Sequence, residues 1–177
     1  MDITASRGFG GGGGKPEEIT FRVPTVADGA AMWRLARDSD GLEVNSPYSY
    51  LMVCRHFPGT CVIAESKGEA IGFISGHSPN AYPDVVFVWQ IAVAKEHRGK
   101  GLALEMLTRL LQLPGCSHAR YLEATVTPSN EASRRTFRAL ARRLGVTCTE
   151  ESCFPSELFP ETAHEDEQLF RIGPIQR

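Results

Sequence analysis

Two glycines close a short basic loop between an apolar, strand-like run and an amphipathic helix. The loop covers residues 95–100, and Gly99 and Gly101 lead into a helix whose apolar residues recur at helical spacing. Glycine lets the backbone approach a ligand closely, and the first N–H groups of a helix have no partner within the helix. The helix dipole adds positive potential at the same end. The chemistry that this pattern predicts is the binding of a pyrophosphate group.

The sequence of the loop excludes two common nucleotide sites. Residues Arg98 to Ala103 contain neither the GxxxxGK[ST] phosphate loop nor the GxGxxG dinucleotide turn. Their order, a strand followed by R-x-x-G-x-A and a helix, resembles the coenzyme A site of the Gcn5-related N-acetyltransferases. Taken alone, the loop is equally consistent with a basic turn that happens to contain two glycines.

A second motif follows one helix and one strand later. Residues 127–137 open another amphipathic helix and resemble the family element N-x-x-A-x-x-x-(Y/F), with Asn130 at its first position and Phe137 at its last. Asn130 could instead serve only as a helix cap. Two elements in the family's order favour the acetyltransferase interpretation, which implies acetyl-CoA as cosubstrate and no metal. The cofactor-binding residues that the resemblance implies are Ile91, Val93, Arg98, Gly99, Lys100, Gly101, Leu102, Ala103, Asn130 and Phe137.

Four further segments, at residues 43–51, 87–93, 122–130 and 164–172, resemble those of family members that acetylate a small diamino acid. Such a substrate carries an ammonium group and a carboxylate beside its reactive amine, so its site needs both acceptors and donors. The substrate-binding residues that this implies are Glu43, Asn45, Tyr48, Trp89, His164 and Glu167. Glu43 stands where aspartate is usual, which adds one methylene of reach.

Proton transfer sets the remaining requirements of the reaction. An alkyl amine with a pKa near ~10 is mostly protonated at neutral pH and cannot attack a thioester until that proton leaves. We expect Glu167, or Glu123 through water, to accept it. The backbone N–H of Ile91 is expected to stabilise the oxyanion. The leaving thiolate takes a proton from Tyr48 or departs unassisted, because Phe137 stands where many relatives have a tyrosine and cannot donate.

Other interpretations stay open at this point. On residue type alone, Tyr48 and Trp89 could be core aromatics and the acidic residues solvated charges. The phenylalanine at position 137 is compatible with a non-catalytic module that binds acyl-CoA. A third interpretation is an acetyltransferase for polyamines or protein N-termini.

Length and composition agree with one enzyme domain. The chain has 177 residues, of which 42% are hydrophobic, and a net charge of −2. Neither nucleic acid nor an anionic membrane is therefore an expected partner, whereas a homodimer is compatible with the family. Residues 1–17, rich in glycine, are predicted to be disordered, and residues 18–177 to form the acetyltransferase domain. The five cysteines form no C-x-x-C pair, which favours reduced thiols, no zinc site and a cytoplasmic location.

Alternation of strand and helix patterns predicts the α/β class: a mixed central β-sheet flanked by helices, the Gcn5-related N-acetyltransferase fold. Lys67, Gly68 and Glu69 are predicted to join two strands as a hairpin. Helices are expected at Thr25 to Ser39, Pro47 to Phe57 with Ser46 as cap, after the glycine loop, and at Asn130 to Leu144. Strands are expected at Ile19 to Val23, Thr60 to Ser66, Ala70 to Gly76, Asp84 to Val93, Tyr121 to Val126, Val146 to Glu150 and Gln168 to Ile172.

Overall fold

The chain folds into two compact units that share one strand. The computed structural model describes residues 18–39, 41–160 and 164–176. Of these residues, those up to 77 and residues 90–117 form the first unit, and residues 78–89 together with those from 118 onward form the second. The prediction for residues 1–17 lies outside the described residues, and the assignment of residues 18–177 to one domain stays a prediction.

The first unit contains three complete strands and three helices. Strands β1 (Ile19–Arg22), β2 (Val62–Ser66) and β3 (Glu69–His77) pair antiparallel in that order. The turn between β2 and β3 is the predicted hairpin: Lys67 and Gly68 both have positive φ, at +52° and +80°. Such a turn matches the twist of the strands that it joins. The helices are α1 (Gly29–Arg37), α2 (Pro47–His56) and α3 (Leu102–Gln112).

The core of the first unit forms where α1 and α2 pack against the sheet. Met32 from α1 and Tyr50 from α2 are buried together with Ile63 and Phe73 from the strands. Tyr50 packs edge-on against Phe73, with ring centroids 6.0 Å apart. The apolar positions predicted for α3, including Met106 and Leu110, are buried as well. This packing fixes α2, and the predicted substrate-binding residues Glu43, Asn45 and Tyr48 lie before it or in its first turn.

A buried ion pair fixes the start of α1. The guanidinium of Arg22 donates to both carboxylate oxygens of Asp28, at 2.7 and 2.8 Å, and Asp28 also accepts from the backbone N–H of Thr25 at 2.6 Å. Hydrogen bonding to Arg22 is the main reason that the pKa of Asp28 falls to about 2, against the opposing effect of burial. The pair therefore stabilises the fold while Asp28 is charged.

Replacing Asp28 with asparagine is expected to destabilise the fold by about 1–3 kcal/mol at pH 7, because Arg22 loses one of its two charged partners and keeps Glu65 alone, at 2.9 Å. An unfolded aspartate has a pKa near ~3.9, so the contribution is complete above that pH and is lost as the pH falls through the folded pKa. Denaturant unfolding of both proteins at neutral and at acidic pH measures the difference. The exposed pair Arg37 and Asp38 provides the control, since Asp38→Asn should have a smaller effect. Equal losses for both variants would contradict the prediction.

The second unit is built on β5 (Tyr121–Val126), β6 (Thr147–Phe154), β7 (Glu167–Gly173) and α4 (Glu131–Leu144). Strand β7 pairs antiparallel with both β5 and β6. Phe137 and Leu140 of α4 are buried, as are Leu122, Phe170 and Ile172 of the strands. The shared strand β4 (Val85–Val93) pairs parallel with β5 through three residues, Val85 to Phe87. Strand β4 then continues to Val93, beyond the portion that pairs with β5.

The predicted fold class is confirmed. Counted through β4, the strands form a seven-stranded mixed sheet in the order β1-β2-β3-β4-β5-β7-β6, with helices flanking it. The predicted strands and helices all occur, most within two residues of the expected ends. Ser46 occupies the N-cap position of α2 as predicted, but its hydroxyl makes no capping hydrogen bond to the backbone and hydrogen bonds to the Ser49 hydroxyl instead. Among the described residues, no helix is long and apolar enough to cross a membrane.

Candidate functional site

The glycine loop of the first unit has a left-handed backbone conformation at both of its glycines. Gly99 and Gly101 have φ of +73° and +81°, values that glycine adopts without strain. Helix α3 begins at Leu102, directly after Gly101, and Leu102 is buried and anchors the helix start. Gly99, Lys100 and Gly101 are exposed. Consequently, the unpaired amides of the first helical turn lie beside an accessible loop.

Arg98 braces this loop with its side chain. Its Nε donates to the carbonyl oxygen of Val93 at 3.0 Å, and an Nη atom donates to the carbonyl oxygen of Asp38 at 3.1 Å. The guanidinium thus ties the loop to the end of β4 and to the end of α1. This geometry supports an indirect role for Arg98 in cofactor binding, through the position of the loop.

An acidic residue in the first turn of α3 is neutralised internally. Glu105 is buried, and a carboxylate there would repel a bound diphosphate. Arg109, one turn later, donates to the Glu105 carboxylate at 3.1 Å and also lies over the ring of Phe21. The positive potential of the helix start is therefore preserved.

The side chains of β4 alternate between two environments. Gln90 and Ala92 are buried, whereas Trp89, Ile91 and Val93 are partly or largely exposed. Trp89 exposes 47% of its surface, so it is no core aromatic. Because pairing with β5 is confined to Val85 to Phe87, the exposed residues lie on the part of β4 that follows the paired portion. A strand of this kind can offer its backbone to an extended ligand.

The substrate-binding residues predicted in the first unit lie around the start of α2. Glu43 and Asn45 belong to the irregular segment 41–46, and Tyr48 lies in the first turn of the helix. Tyr48 exposes 67% of its surface, which excludes the interpretation as a core aromatic. The carbonyl oxygen of Glu43 accepts a hydrogen bond of 2.7 Å from the side chain of Gln90. The structure thus brings the Glu43 segment together with β4.

In the second unit, the carboxylate of Glu123 forms an ion pair with an arginine side chain. Glu123 is buried on β5, and its carboxylate accepts from Arg171, which lies directly opposite on β7. The guanidinium of Arg171 also lies 3.8 Å from the ring centroid of Tyr121. Glu123 therefore has a structural partner that the sequence did not indicate.

His164 and Glu167 are brought together at the start of β7. The Nδ1 of His164 donates to the carbonyl oxygen of Glu165 at 2.6 Å, because a carbonyl can only accept. The other ring nitrogen, Nε2, then lies 4.0 Å from Glu167 Oε1. Phe159 stacks on the imidazole with a centroid distance of 3.6 Å and holds the ring in place. The arrangement presents two proton-accepting atoms to one small region.

Two predicted cofactor residues have structural roles. Asn130 caps α4, and its side-chain oxygen accepts from the N–H of Ser133 at 3.1 Å. Only 3% of Phe137 is exposed, and it packs on Phe170. Phe137 therefore offers little surface to a ligand, and the cofactor contacts of both residues stay predictions. The adjacent Arg134 bonds to Glu150 and Gln168, which explains this cation without a ligand.

A cysteine nucleophile has no support. All five cysteines are free. Burial raises the pKa of Cys54 to about 11 and that of Cys61 to about 12, so neither forms a thiolate at neutral pH. Burial likewise raises the pKa of Cys153, with contributions from the charges of Glu123 and Glu167. None of these three thiols is therefore activated as a nucleophile.

Sequence reasoning missed three side chains that contact the predicted site residues: Gln90, Phe159 and Arg171. Gln90 left a detectable signal, since a carboxamide interrupts an otherwise apolar strand. Phe159 and Arg171 left none, because their partners are set by the tertiary fold.

The comparisons with known proteins agree with this geometry. The family model described as "Acetyltransferase (GNAT) family" matches residues 30–141. An L-2,4-diaminobutyric acid acetyltransferase of Shouchella clausii is 48% identical over 158 residues, which cover 89% of this chain and 88% of that protein. The enzyme of the same name from Marinococcus halophilus is 46% identical, over 94% of this chain and 96% of its own.

A solved structure extends the likeness to three dimensions. The diaminobutyrate acetyltransferase EctA from Paenibacillus lautus, in complex with its substrate L-2,4-diaminobutyric acid and coenzyme A, is 43% identical with a TM-score of 0.87. The match covers 91% of this chain and 98% of that one. This chain therefore belongs to the GNAT family of acetyltransferases, in which the relatives that it resembles over most of its length are diaminobutyrate acetyltransferases.

Proposed function

We propose that the chain transfers the acetyl group of acetyl-CoA to the γ-amine of L-2,4-diaminobutyrate. The product is N4-acetyl-L-2,4-diaminobutyrate, and the step belongs to the synthesis of the osmolyte ectoine. The observation that carries this proposal is the likeness, along nearly the whole chain, to an enzyme solved with this diamino acid and coenzyme A. The exposed glycine loop and the predicted acidic and aromatic residues are of the types that this chemistry needs.

Binding of acetyl-CoA falls to the first unit in this proposal. The amides of Gly99 through Ala103 hold the diphosphate at the start of α3, and the Lys100 side chain adds a positive charge. Arg98 acts through the loop that it braces. Val93, on the portion of β4 beyond its pairing with β5, hydrogen bonds to the pantetheine arm. The backbone N–H of Ile91 donates to the thioester oxygen as negative charge develops on it.

Recognition of the diamino acid uses the acidic and aromatic side chains. The carboxylates of Glu43 and Glu167 attract the ammonium groups, and Asn45 offers an amide donor and an acceptor. Trp89 and Tyr48 supply exposed aromatic faces for the carbon chain and the cation. His164 is held by Phe159 and by the Glu165 carbonyl, so its Nε2 is available to the substrate.

Glu167 is the general base of the proposed mechanism. The protonated γ-amine gives its proton to Glu167, directly or through the neighbouring Nε2 of His164, and the neutral nitrogen attacks the thioester carbon. The C–N bond forms to give a tetrahedral oxyanion, the C–S bond breaks as the carbonyl forms again, and the nitrogen gives its second proton to solvent. The thiolate leaves with a proton from Tyr48, which solvent then replaces, or without assistance. Glu123 is the weaker candidate, because its carboxylate is occupied by Arg171.

Mass spectrometry of the product from L-2,4-diaminobutyrate and acetyl-CoA tests the proposal. We expect acetylation at the γ-nitrogen, release of one free thiol per product, and no turnover of putrescine, which lacks the α-carboxylate. Acetylation of the α-nitrogen alone, or equal turnover of putrescine, would contradict the substrate assignment. A protein that binds acetyl-CoA but releases no thiol with any amine would instead be a non-catalytic module.

A further inference from the structure

Gln90 is a buried polar residue in an apolar strand. It is 5% exposed and lies between Trp89 and Ile91 on β4. Burying a carboxamide is unfavourable unless it is hydrogen bonded. Its Nε2 donates to the carbonyl oxygen of Glu43 at 2.7 Å, a contact between residues 47 positions apart. The strand that carries Ile91 is thereby joined to the segment that carries Glu43.

A second buried polar group lies in the same place. Tyr50 of α2 is 2% exposed, and burial raises the pKa of its phenol while the polar groups of Asn45 and Gln90 offset part of that rise. Within the described part of the chain, Tyr50 Oη and Gln90 Oε1 have no hydrogen-bond partner. In the part of the chain that the structure describes, the hydrogen bond to the Glu43 carbonyl is therefore the one that the Gln90 side chain makes, and the Tyr50 phenol is its polar neighbour.

The segment that Gln90 holds has no regular structure of its own. Residues 42–46 lie between α1 and α2 outside any helix or strand. The hydrogen bond fixes the backbone of Glu43, whereas the side chain of Glu43 is exposed. Fixing a backbone in this way orients a charged side chain without consuming its charge.

We propose that Gln90 is a positioning residue that holds the Glu43 to Asn45 segment in register with β4 and so determines affinity for the diamino acid. This inference rests on the proposed function. It separates two roles along one strand: Ile91 and Val93 serve the thioester, and Gln90 serves the acceptor. The separation predicts a change in one Michaelis constant and not in the other.

Steady-state kinetics with both substrates tests the role of Gln90. Gln90→Leu removes the donor, so we expect the KM for L-2,4-diaminobutyrate to rise about tenfold, as for loss of one well-formed hydrogen bond, and the KM for acetyl-CoA to stay within about twofold. The matched control is Thr60→Val, which also removes a buried side-chain donor to a backbone carbonyl, that of Gly76, at 2.8 Å. This control should leave both constants unchanged. An equal rise for both substrates, or the same rise in the control, would overturn the proposal.

Gln90→Glu adds a readout that a purely structural role would not change. A carboxylate at position 90 repels the Glu43 carbonyl, whereas a protonated carboxyl donates to it. Burial raises the pKa of such a group. The KM of Gln90→Glu for the diamino acid, divided by that of the wild type, should therefore fall toward one as the pH is lowered from about 9 to about 6. For Gln90→Leu the same ratio should not change with pH. A ratio that is independent of pH in Gln90→Glu would overturn the proposal, even where Gln90→Leu fails to fold.

Hydrogen exchange separates failure of this inference from failure of the proposed function. At high pH and without substrate, the amides of residues 42–46 should exchange faster in Gln90→Glu than in the wild type. The control Thr60→Val should show no such increase. Unchanged exchange would overturn the positioning role of Gln90, whatever the substrate. Faster exchange in a protein that does not acetylate diaminobutyrate would retain the positioning role and reject the proposed function.

Discussion

Replacing Glu167 with glutamine is expected to lower kcat about 10²- to 10⁴-fold, the range found when a general base is removed. Glutamine preserves the shape of the side chain but cannot take a proton from the γ-ammonium group. Affinity for acetyl-CoA should be unchanged, since its diphosphate is assigned to the loop before α3. Steady-state rates and calorimetric titration with acetyl-CoA measure the two quantities separately.

The pH dependence of the rate of Glu167→Gln distinguishes a general base from a residue that only binds the substrate. As the pH rises toward the pKa of an alkyl amine, about 10, the substrate loses its proton to solvent and needs the base less. The rate of the variant should therefore continue to increase with pH after the wild-type rate has levelled. A variant whose rate is reduced by the same factor at every pH would indicate that Glu167 binds the substrate and does not accept its proton.

Two further glutamates control for the charge change. Glu151 is exposed on β6, so Glu151→Gln should leave kcat unaffected. Glu123→Gln breaks the ion pair with Arg171 and is expected to reduce stability more than rate. A loss of rate in Glu123→Gln that exceeds the loss in Glu167→Gln would transfer the role of base to Glu123.

Local patterns were sufficient to predict the elements of the fold. The apolar periodicity of α3 and the run from Tyr121 to Val126 depend on neighbours in sequence, and both elements occur as expected. The turn at Lys67 and Gly68 was equally predictable, because a glycine between two strand-like runs is typical of a hairpin turn with positive φ. Such features are encoded within a few residues, so one sequence reveals them.

The contacts that position the predicted site residues were not predictable in the same way. Gln90 and Glu43 are joined across 47 residues, and Arg171 meets Glu123 only because β5 and β7 are neighbours in the sheet. The stacking of Phe159 on His164 likewise depends on the path of the chain before β7. The residue types of the site could be proposed from chemistry and resemblance, whereas their supporting partners required the tertiary structure.

The glycine loop allows a prediction of comparable size for the cofactor. Gly101→Val should weaken acetyl-CoA binding at least about tenfold, because a left-handed backbone costs an L-residue roughly 1–2 kcal/mol and a β-branched residue more. A Cβ at Gly101 would meet no heavy atom within 4 Å, so the effect comes from the backbone and not from a clash. The loop would relax to negative φ and turn its amides away from the diphosphate. Calorimetric titration with acetyl-CoA measures the change in Kd.

Gly68 supplies the matched control for that substitution. Its φ of +80° is nearly that of Gly101, a Cβ there also meets open space, and it lies in the hairpin turn between β2 and β3. Gly68→Val therefore introduces the same local strain and should lower the thermal stability of the protein without changing the Kd for acetyl-CoA. If the two variants lost affinity equally, general destabilisation would explain the result, and the amides at the start of α3 would not be the diphosphate site. Loss confined to Gly101→Val would instead tie the affinity to the backbone conformation of one residue.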